Sequence, residues 1–298
     1  MADVYHIVRL NQCTLDEIRI CFNQAFSDYL IGPINLSQSI LRWKIQRDGV
    51  DLSRSFGAKS AKGRLVGLLL TGVGEWQGAS TFYNAGMGII PDHRRNGLAR
   101  KLYHALFEAY PDTTLLLECI AANQLAYAFY RSLGFEETRS LQCYKSPARS
   151  AAYSLPYKFV QIDAPTQAQL NPLASWNPSW QNSYASARRL EKNCRWIAAL
   201  ERENLIGCAA FDPDYGYVLQ MAVHPDHRRK GFGRAMTKYM GARSSSLRLD
   251  MVNVDASHAP TDFALRSFGF VPTVRQVEMI RVPSAGSTSS NGTGTPTP

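Results

Sequence analysis

The sequence lacks the features that would mark a membrane protein, a secreted protein or a metalloprotein. No apolar run approaches the roughly 20 residues that a transmembrane helix requires, and the first residues, MADVYHIVRL, do not form the charged and then apolar stretch of a secretory signal. We therefore predict a cytoplasmic protein with no membrane partner. The six cysteines are scattered, without a CxxC pair or histidines at zinc-finger spacing, so we expect reduced structural thiols and no metal site.

What the sequence does contain is the composition of an ordinary soluble protein. It has 298 residues, 45% of them apolar and 19% charged, and this length predicts two domains. The net charge of +9 favours an anionic partner. Charge of one sign does not by itself separate nucleic acid, a membrane surface and a phosphorylated cofactor.

Two segments recur in the same order. PDHRRNGLARKL at 91–102 returns as PDHRRKGFGRAM at 225–236, and RSLGF at 131–135 returns as RSFGF at 266–270. The spacings are 134 and 135 residues. A period of this length corresponds to a whole domain and not to a solenoid unit.

The repeat divides the chain into two domains and a tail. We predict a first domain at 1–150, a second at 151–283, and a join near 148–156, where proline and serine interrupt the periodicity. Residues 284–298 consist almost entirely of serine, glycine, threonine, proline and asparagine, which predicts a disordered tail.

Within each copy, strands alternate with helices. RLVGLLLTGV, ASTFYNAGMGII and TLLLECI predict strands. Apolar residues at four-residue spacing predict one helix that opens near Gly97 and another that ends at Gly134: Leu98, Leu102 and Leu106, and then Leu125, Phe129 and Leu133. The second copy repeats this order, so we predict an α/β fold with a mixed sheet.

A basic turn between a strand and a helix carries the clearest chemical signal. The first helical NH groups have no partner within the helix and carry partial positive charge, so a turn that leads into them can hold a phosphate. Gly97 and Ala99 let an anion approach the backbone closely. Arg94, Arg95 and Arg100 add positive charge suited to phosphates.

Other glycine-containing phosphate motifs do not fit this turn. No Lys-Ser or Lys-Thr follows the glycine, as a P-loop requires, and a three-glycine dinucleotide motif is missing. A solvated basic loop is the simplest alternative. The turn recurs in the same context in the second copy, and this duplication favours a functional role.

The runs at 94–99 and 228–233 resemble the Arg/Gln-x-x-Gly-x-Gly/Ala motif of GNAT acetyltransferases, here in a tandem arrangement. The resemblance implies that both turns hold the pyrophosphate of coenzyme A, and that the preceding strand lends backbone groups to its pantetheine arm. In the first half the implied residues are Arg94, Arg95, Asn96, Gly97, Leu98, Ala99 and Arg100, preceded by Met87, Gly88 and Ile89. In the second half they are Arg229, Lys230, Gly231, Phe232, Gly233 and Arg234, preceded by Met221, Ala222 and Val223.

The segment LECIAANQLAYAFYRSLGF resembles the second coenzyme motif of the same family. The resemblance implies that Asn123 contacts the cofactor, that Tyr130 protonates the leaving thiolate, and that Glu118, at the end of a strand, is the base. Each residue also has an ordinary structural interpretation. Tyr130 could pack in a core, Glu118 could form an ion pair, and Asn123 could cap the helix that follows.

The second half departs from this pattern. Leu265 stands where Tyr130 would be expected, and His258 stands in place of the asparagine. Asp250 could replace the glutamate, but an acid from Tyr215, Tyr217 or another loop would have to be assumed. We therefore predict turnover in the first half, with the second half binding coenzyme A or bracing the first.

Other candidate side chains have no specific chemical pattern around them. His93 and His227 occupy equal positions in the two turns, but neither has a carboxylate or cysteine at ligand spacing, so we expect polar loop residues. Trp176, Trp180 and Trp196 could line an acceptor cleft or pack in a core or domain interface.

The resulting hypothesis is an N-acetyltransferase that uses acetyl-CoA and an amine acceptor, either a small molecule or a peptide. The alternative is a module that senses acyl-CoA or docks a partner without turnover. A nucleic-acid binder is disfavoured because the two phosphate turns account for several of the arginines, and the sequence shows no helix-turn-helix, zinc-finger or RNA-binding signature.

Overall fold

The structure of the chain is a computed structural model. This structure describes residues 4–146, 157–201, 204–246 and 248–283. The predicted join at 148–156 and the predicted tail at 284–298 lie outside the described residues, so both stay predictions.

Within the described ranges, the two halves have the same order of strands and helices. The first half contains β1 (Tyr5–Arg9), α1 (Leu15–Ala25), α2 (Gln38–Asp48), β2 (Phe56–Ser60), β3 (Leu65–Trp76), β4 (Ala79–Ile89), α3 (Leu98–Ala109), β5 (Thr114–Ile120), α4 (Gln124–Ser132) and β6 (Glu136–Lys145). The second half contains β7 (Val160–Ile162), α5 (Gln167–Leu170), α6 (Tyr184–Arg189), β8 (Arg195–Glu201), β9 (Asn204–Asp212), β10 (Tyr217–Val223), α7 (Phe232–Arg243), β11 (Asp250–Asp255), α8 (Ala259–Ser267) and β12 (Val271–Arg281). None of these helices is long and apolar enough to cross a bilayer.

The strands of both halves join in one mixed sheet, which confirms the predicted α/β class. Their order is β1-β2-β3-β4-β5-β12-β6-β11-β10-β9-β8-β7. The last strand of each half is exchanged, because β12 lies between β5 and β6, while β6 lies between β12 and β11. Each half therefore completes the sheet of the other, and neither leaves an unpaired strand edge at the junction.

Both helices predicted from apolar spacing are present. Leu98, Leu102 and Leu106 are buried, and α3 begins directly after Gly97. α4 ends just before Gly134. Within α4, Leu125 is 87% exposed and lines an open cleft.

Aromatic side chains from both halves are buried where the halves meet. Trp43 on α2 donates its indole NH to the Asp212 carboxylate at 2.7 Å. Trp180 donates to the backbone oxygen of Asp48 at 3.0 Å, and its ring stacks on Tyr83 with centroids 5.1 Å apart. Trp180 is thus an interface residue, as the second of its two sequence interpretations predicted.

Candidate active site

The sheet opens between two parallel strands in each half. β4 pairs with β5 only from Thr81 to Tyr83, and β4 shifts its register against β3 just beyond, between Asn84 and Gly86. A shift of this kind bends a strand and re-aims its side chains. β10 and β11 pair only at Tyr217, and β10 also shifts its register just after that position. The last residues of β4 and β10 therefore face a gap, with backbone groups not used by β5 or β11.

Both basic turns adopt the same unusual backbone conformation. Arg95 and Gly97 have φ values of 64° and 71°, and Arg229 and Gly231 have 60° and 91°. A positive φ at a residue other than glycine is uncommon and costs free energy. Left-handed residues in a turn point successive NH groups into one concavity, which suits an anion. The repeated conformation therefore fits two anion-binding turns.

The first turn opens into a cleft of 810 Å³. A Cβ added to Gly97 would meet no heavy atom within 4 Å, so the turn is not occluded. Nearly all of the predicted cofactor residues of the first half line this cleft, namely Met87, Gly88, Ile89, Arg94, Arg95, Gly97, Leu98, Ala99, Arg100 and Asn123. Asn96 does not line it, because its amide is directed to the Tyr5 hydroxyl and the His93 backbone oxygen, both at 3.3 Å.

Two arginines of the first turn are held by partners that sequence reasoning missed. The Arg94 guanidinium contacts both carboxylate oxygens of Asp28, at 2.6 and 2.7 Å, and donates to the backbone oxygen of Ile89 at 3.1 Å. Arg94 thereby ties the turn to the segment after α1. Arg100 donates to the Ser132 hydroxyl at 2.9 Å. These partners leave Arg95 as the arginine of the turn best placed to move toward an anion.

Asn123 caps the helix that follows it and also lines the first cleft, while its contact with a cofactor stays a prediction. Its side-chain oxygen accepts from the NH of Ala126 at 3.1 Å, which caps α4, and the residue also lines the cleft. Its counterpart His258 precedes α8 and lines the second cleft, but makes no capping bond. The His258 ring instead bonds the Thr261 hydroxyl at 2.8 Å.

Tyr130 lies below the floor of the first cleft, where it is 6% exposed. Its hydroxyl oxygen accepts from the Asn84 amide at 3.3 Å, and the same amide donates to Tyr103 at 2.8 Å. Burial raises the pKa of Tyr130 well above its usual value, so the hydroxyl keeps its proton at neutral pH. Ala126 and Phe129 line the cleft, whereas Tyr130 does not. A ligand in this cleft can reach the Tyr130 hydroxyl only if α4 or the ligand moves slightly.

Glu118 lies within β5, two residues before its end, and not at the strand end as the sequence predicted. One carboxylate oxygen accepts from the Tyr83 hydroxyl, and the other is buried with no hydrogen-bond partner. Burial raises the pKa of Glu118 to about 8, and the charge of Glu278 acts in the same direction. A carboxyl poised near neutrality with a free oxygen is suited to accept a proton.

The two candidate catalytic groups approach the gap from opposite faces of the sheet. Tyr83 and Asn84 are consecutive in β4, and consecutive side chains of a strand point to opposite faces. Tyr83 contacts Glu118, and Asn84 contacts Tyr130. The helices α3 and α4 cover the face of Tyr130, and Trp180 of the second half stacks on the face of Glu118.

Glu278 reaches this site only through the strand exchange. It lies directly opposite Glu118 in the β12–β5 ladder and is 2% exposed. Arg139 on β6 binds its carboxylate through two nitrogens, at 3.0 and 2.8 Å. No local sequence signal connects Glu118 with a residue so far along the chain, so the sequence could not have identified this neighbour.

The second turn opens into a separate cleft of 910 Å³. The predicted residues that line it are Met221, Ala222, Val223, Arg229, Gly231, Phe232, Gly233 and Arg234. Lys230 does not line it, and the backbone oxygen of Lys230 accepts from the Tyr157 hydroxyl. Trp176 lines this cleft, whereas Trp196 is buried in the core of the second half.

The described lining of the second cleft includes no tyrosine, aspartate or glutamate. Leu265 is buried at the place of Tyr130. The rings of Tyr215 and Tyr217 pack against Trp43, with centroids 5.4 and 4.8 Å away. Asp250 begins β11 beside Arg248 at 3.3 Å. None of the replacements considered from the sequence borders the cleft.

The two histidines of the turns line the two clefts, His93 the first and His227 the second. His93 also bonds the Tyr5 hydroxyl at 3.0 Å. Among the described residues, no group of three or more histidine, cysteine, aspartate or glutamate side chains is arranged to hold a metal ion.

Each half thus has a basic turn with two left-handed residues beside parallel strands that separate, and a cleft at the turn. The Acetyltransferase (GNAT) family matches residues 20–135 and 161–270. These two matches cover most of the chain, which therefore belongs to that family and contains it twice. The match confirms the tandem arrangement predicted from the repeat.

Solved structures with a similar fold span the whole chain. A GCN5-related N-acetyltransferase from Sphaerobacter thermophilus is 15% identical, with a TM-score of 0.65 over 96% of this chain and 97% of its own. A tandem GNAT protein from the clavulanic acid biosynthesis pathway is 16% identical, with a TM-score of 0.64 over 95% and 99%. At such identities the likeness establishes the fold. No curated protein sequence matches the chain.

Proposed function

We propose that the protein transfers an acetyl group from acetyl-CoA to an amine, and that the reaction takes place in the first half. The observation that carries this proposal is the gap between β4 and β5. Tyr83 and Asn84, at the edge of this gap, bond Glu118 and Tyr130 on opposite faces of the sheet, and the turn at Gly97 lines the cleft next to it.

The residues present fit acetyl-CoA. The diphosphate would be held by the backbone of the turn at 95–99, with charge from Arg95 and Arg100. The gap beside Met87 and Gly88 offers backbone groups to an extended arm. When bound, acetyl-CoA supplies an acetyl group activated as a thioester.

The side chains divide the proton transfers between them. Glu118 accepts a proton from the attacking amine, directly or through a water, because its pKa is raised and one of its oxygens is free. Tyr130 gives its proton to the departing sulfur, while Asn84 donates to the tyrosine oxygen and stabilises the negative charge that develops there. Trp180 and Tyr83 limit how an amine can reach Glu118.

The test is amine-dependent release of free thiol from acetyl-CoA by the full chain, with a panel of small amines and peptide N-termini. Mass spectrometry of the acceptor should find an added acetyl group. The alternative, an acyl-CoA-sensing or partner-docking module, predicts that coenzyme A raises the Tm while no amine elicits thiol release.

A further inference from the structure

Each of the two clefts has a turn of the same conformation, but the residues beneath the turn differ. In the first half, Asn84 bonds both Tyr103 and Tyr130, and this polar trio closes the floor. The repeat spacing aligns these residues with Val218, Thr237 and Leu265, in that order. Two of the three polar groups of the trio are lost, and Thr237, much smaller than the tyrosine it replaces, donates its hydroxyl to the backbone oxygen of Gly233 at 3.0 Å.

The second cleft also reaches deeper into the sheet. The lining of the first cleft includes the end of β4 but no residue of β5. The lining of the second includes Leu219 and Met221 on β10, Met251 on β11 and Leu265 on α8. β10 and β11 are paired at one position, whereas β4 and β5 are paired at three. The gap between β10 and β11 therefore begins earlier along the strands. The result is an apolar interior continuous with the mouth of the cleft.

The mouth of this cleft is cationic. Arg228, Arg229, Arg234 and His227 line it beside the left-handed turn at Gly231, and the described lining includes no acidic side chain. One end of the cleft is thus suited to phosphates and the other to hydrocarbon. A ligand that satisfies both has an anionic head and an apolar chain.

We propose that the second cleft binds acyl-CoA with a straight acyl chain longer than acetyl, and holds it without turnover. The chain occupies the gap lined by Leu219, Met251 and Leu265, and the diphosphate lies on the Gly231 turn. The described lining of the cleft includes no tyrosine, aspartate or glutamate, and of its two histidines His258 is bonded to the Thr261 hydroxyl. This inference goes beyond the proposed reaction, because it concerns the half to which no chemistry is assigned.

The experiment uses the full chain with its first turn disabled by Gly97→Glu. The substitution places a carboxylate where the first diphosphate would lie. Calorimetry then measures binding of non-hydrolysable thioether analogues of acetyl-, butanoyl- and hexanoyl-CoA. A buried methylene is worth up to about fourfold in affinity, so the four extra methylenes of hexanoyl have a ceiling of about 250-fold over acetyl, and we expect a gain of about 30-fold. An affinity that is flat or falls with chain length, or no binding, overturns the proposal.

The matched control is Gly231→Glu, which disables the second turn at the equivalent left-handed glycine. In this variant the gain with chain length should disappear, and persistence of the gain would contradict the assignment to the second cleft. Leu265→Tyr restores the first-half residue and fills the apolar end. It should lower hexanoyl affinity by about tenfold and leave acetyl affinity nearly unchanged, whereas an equal loss for both ligands would contradict the proposed position of the chain.

Failure here is distinguishable from failure of the proposed function. Amine-dependent thiol release depends on the first half and is measured separately with acetyl-CoA. A protein that acetylates an amine but shows no chain-length preference in Gly97→Glu retains the proposed function and loses this inference.

Discussion

The first and second halves have the same turn and differ in the residues beneath it. Both retain a turn with two left-handed residues at the same positions, and both open a cleft beside it. Below the turn, the first half has Tyr130 and Glu118 near the gap, whereas the described lining of the second cleft has Leu265 and no tyrosine, aspartate or glutamate. In the function that we propose, the turn holds the cofactor, and the residues of the next strand and helix decide whether transfer follows.

The largest effect is expected from Glu118→Gln, which removes the proposed base with little change in shape. Turnover with saturating amine should fall by about 10²- to 10⁴-fold, as measured by thiol release. A loss of less than about fivefold would show that another group accepts the proton.

Glu118→Gln should also be more stable than the wild type at alkaline pH. The pKa of Glu118 is about 8 in the folded protein and near 4.5 in the unfolded chain, so the folded state binds more protons between these values. The free energy of unfolding therefore falls as pH rises from about 4.5 to about 8. Glutamine lacks this penalty, so its Tm should exceed that of the wild type by about 5 °C at pH 8. At pH 4 the two Tm values should coincide.

Tyr130→Phe tests the proposed acid and should lower turnover by about 10²-fold. Tyr127→Phe is the matched control, because it removes a hydroxyl from the same helix whose one hydrogen bond to the described residues is to Glu137, at 3.3 Å. Thiol release should be nearly normal in the control. Equal loss in both variants would point to disturbed packing of α4 and not to a missing proton donor.

A smaller effect is expected from a change at Glu278, the residue of the second half that lies beside Glu118. Turnover should rise with pH with a midpoint near 8, as Glu118 loses its proton. Glu278→Gln removes a neighbouring negative charge and leaves Arg139 paired with Asp255 at 3.3 Å. Loss of this negative charge lowers the pKa of Glu118, so the midpoint should move to lower pH. An unchanged pH–rate profile would show that Glu278 serves only to pair the strands.

The smallest effect is expected from Leu265→Met, which conserves volume at the position of the second half that corresponds to Tyr130. Acetyl-CoA turnover should stay within about twofold of the wild type, because volume-conserving core changes cost little stability. A large loss of thiol release would place chemistry in the second half.

Much of the fold and part of the site could be predicted from the sequence, because their signals are local. The repeated turn requires glycine at a left-handed position, and Leu98, Leu102 and Leu106 mark the face of α3 that is buried. The pairing of strands across the sheet has no such local signal in the sequence. The exchange of β6 and β12, and with it the position of Glu278 beside Glu118, depends on which strands meet after folding.

Polar partners inside the site were missed for a related reason. Asn84 and Tyr83 stand in a strand that reads as apolar, and their importance comes from residues more than 30 positions away. Leu125 marks the predicted helix correctly, but its spacing does not distinguish an apolar side chain that lines a cleft from one in a core.

Turnover of acetyl-CoA by the matched pair Gly97→Glu and Gly231→Glu tests the central comparison most directly. Each substitution puts one carboxylate at the left-handed glycine of one turn, and thermal unfolding checks that both proteins fold. The account predicts that Gly97→Glu abolishes amine-dependent thiol release, while Gly231→Glu retains most of it. Loss of thiol release in Gly231→Glu with activity retained in Gly97→Glu would contradict it.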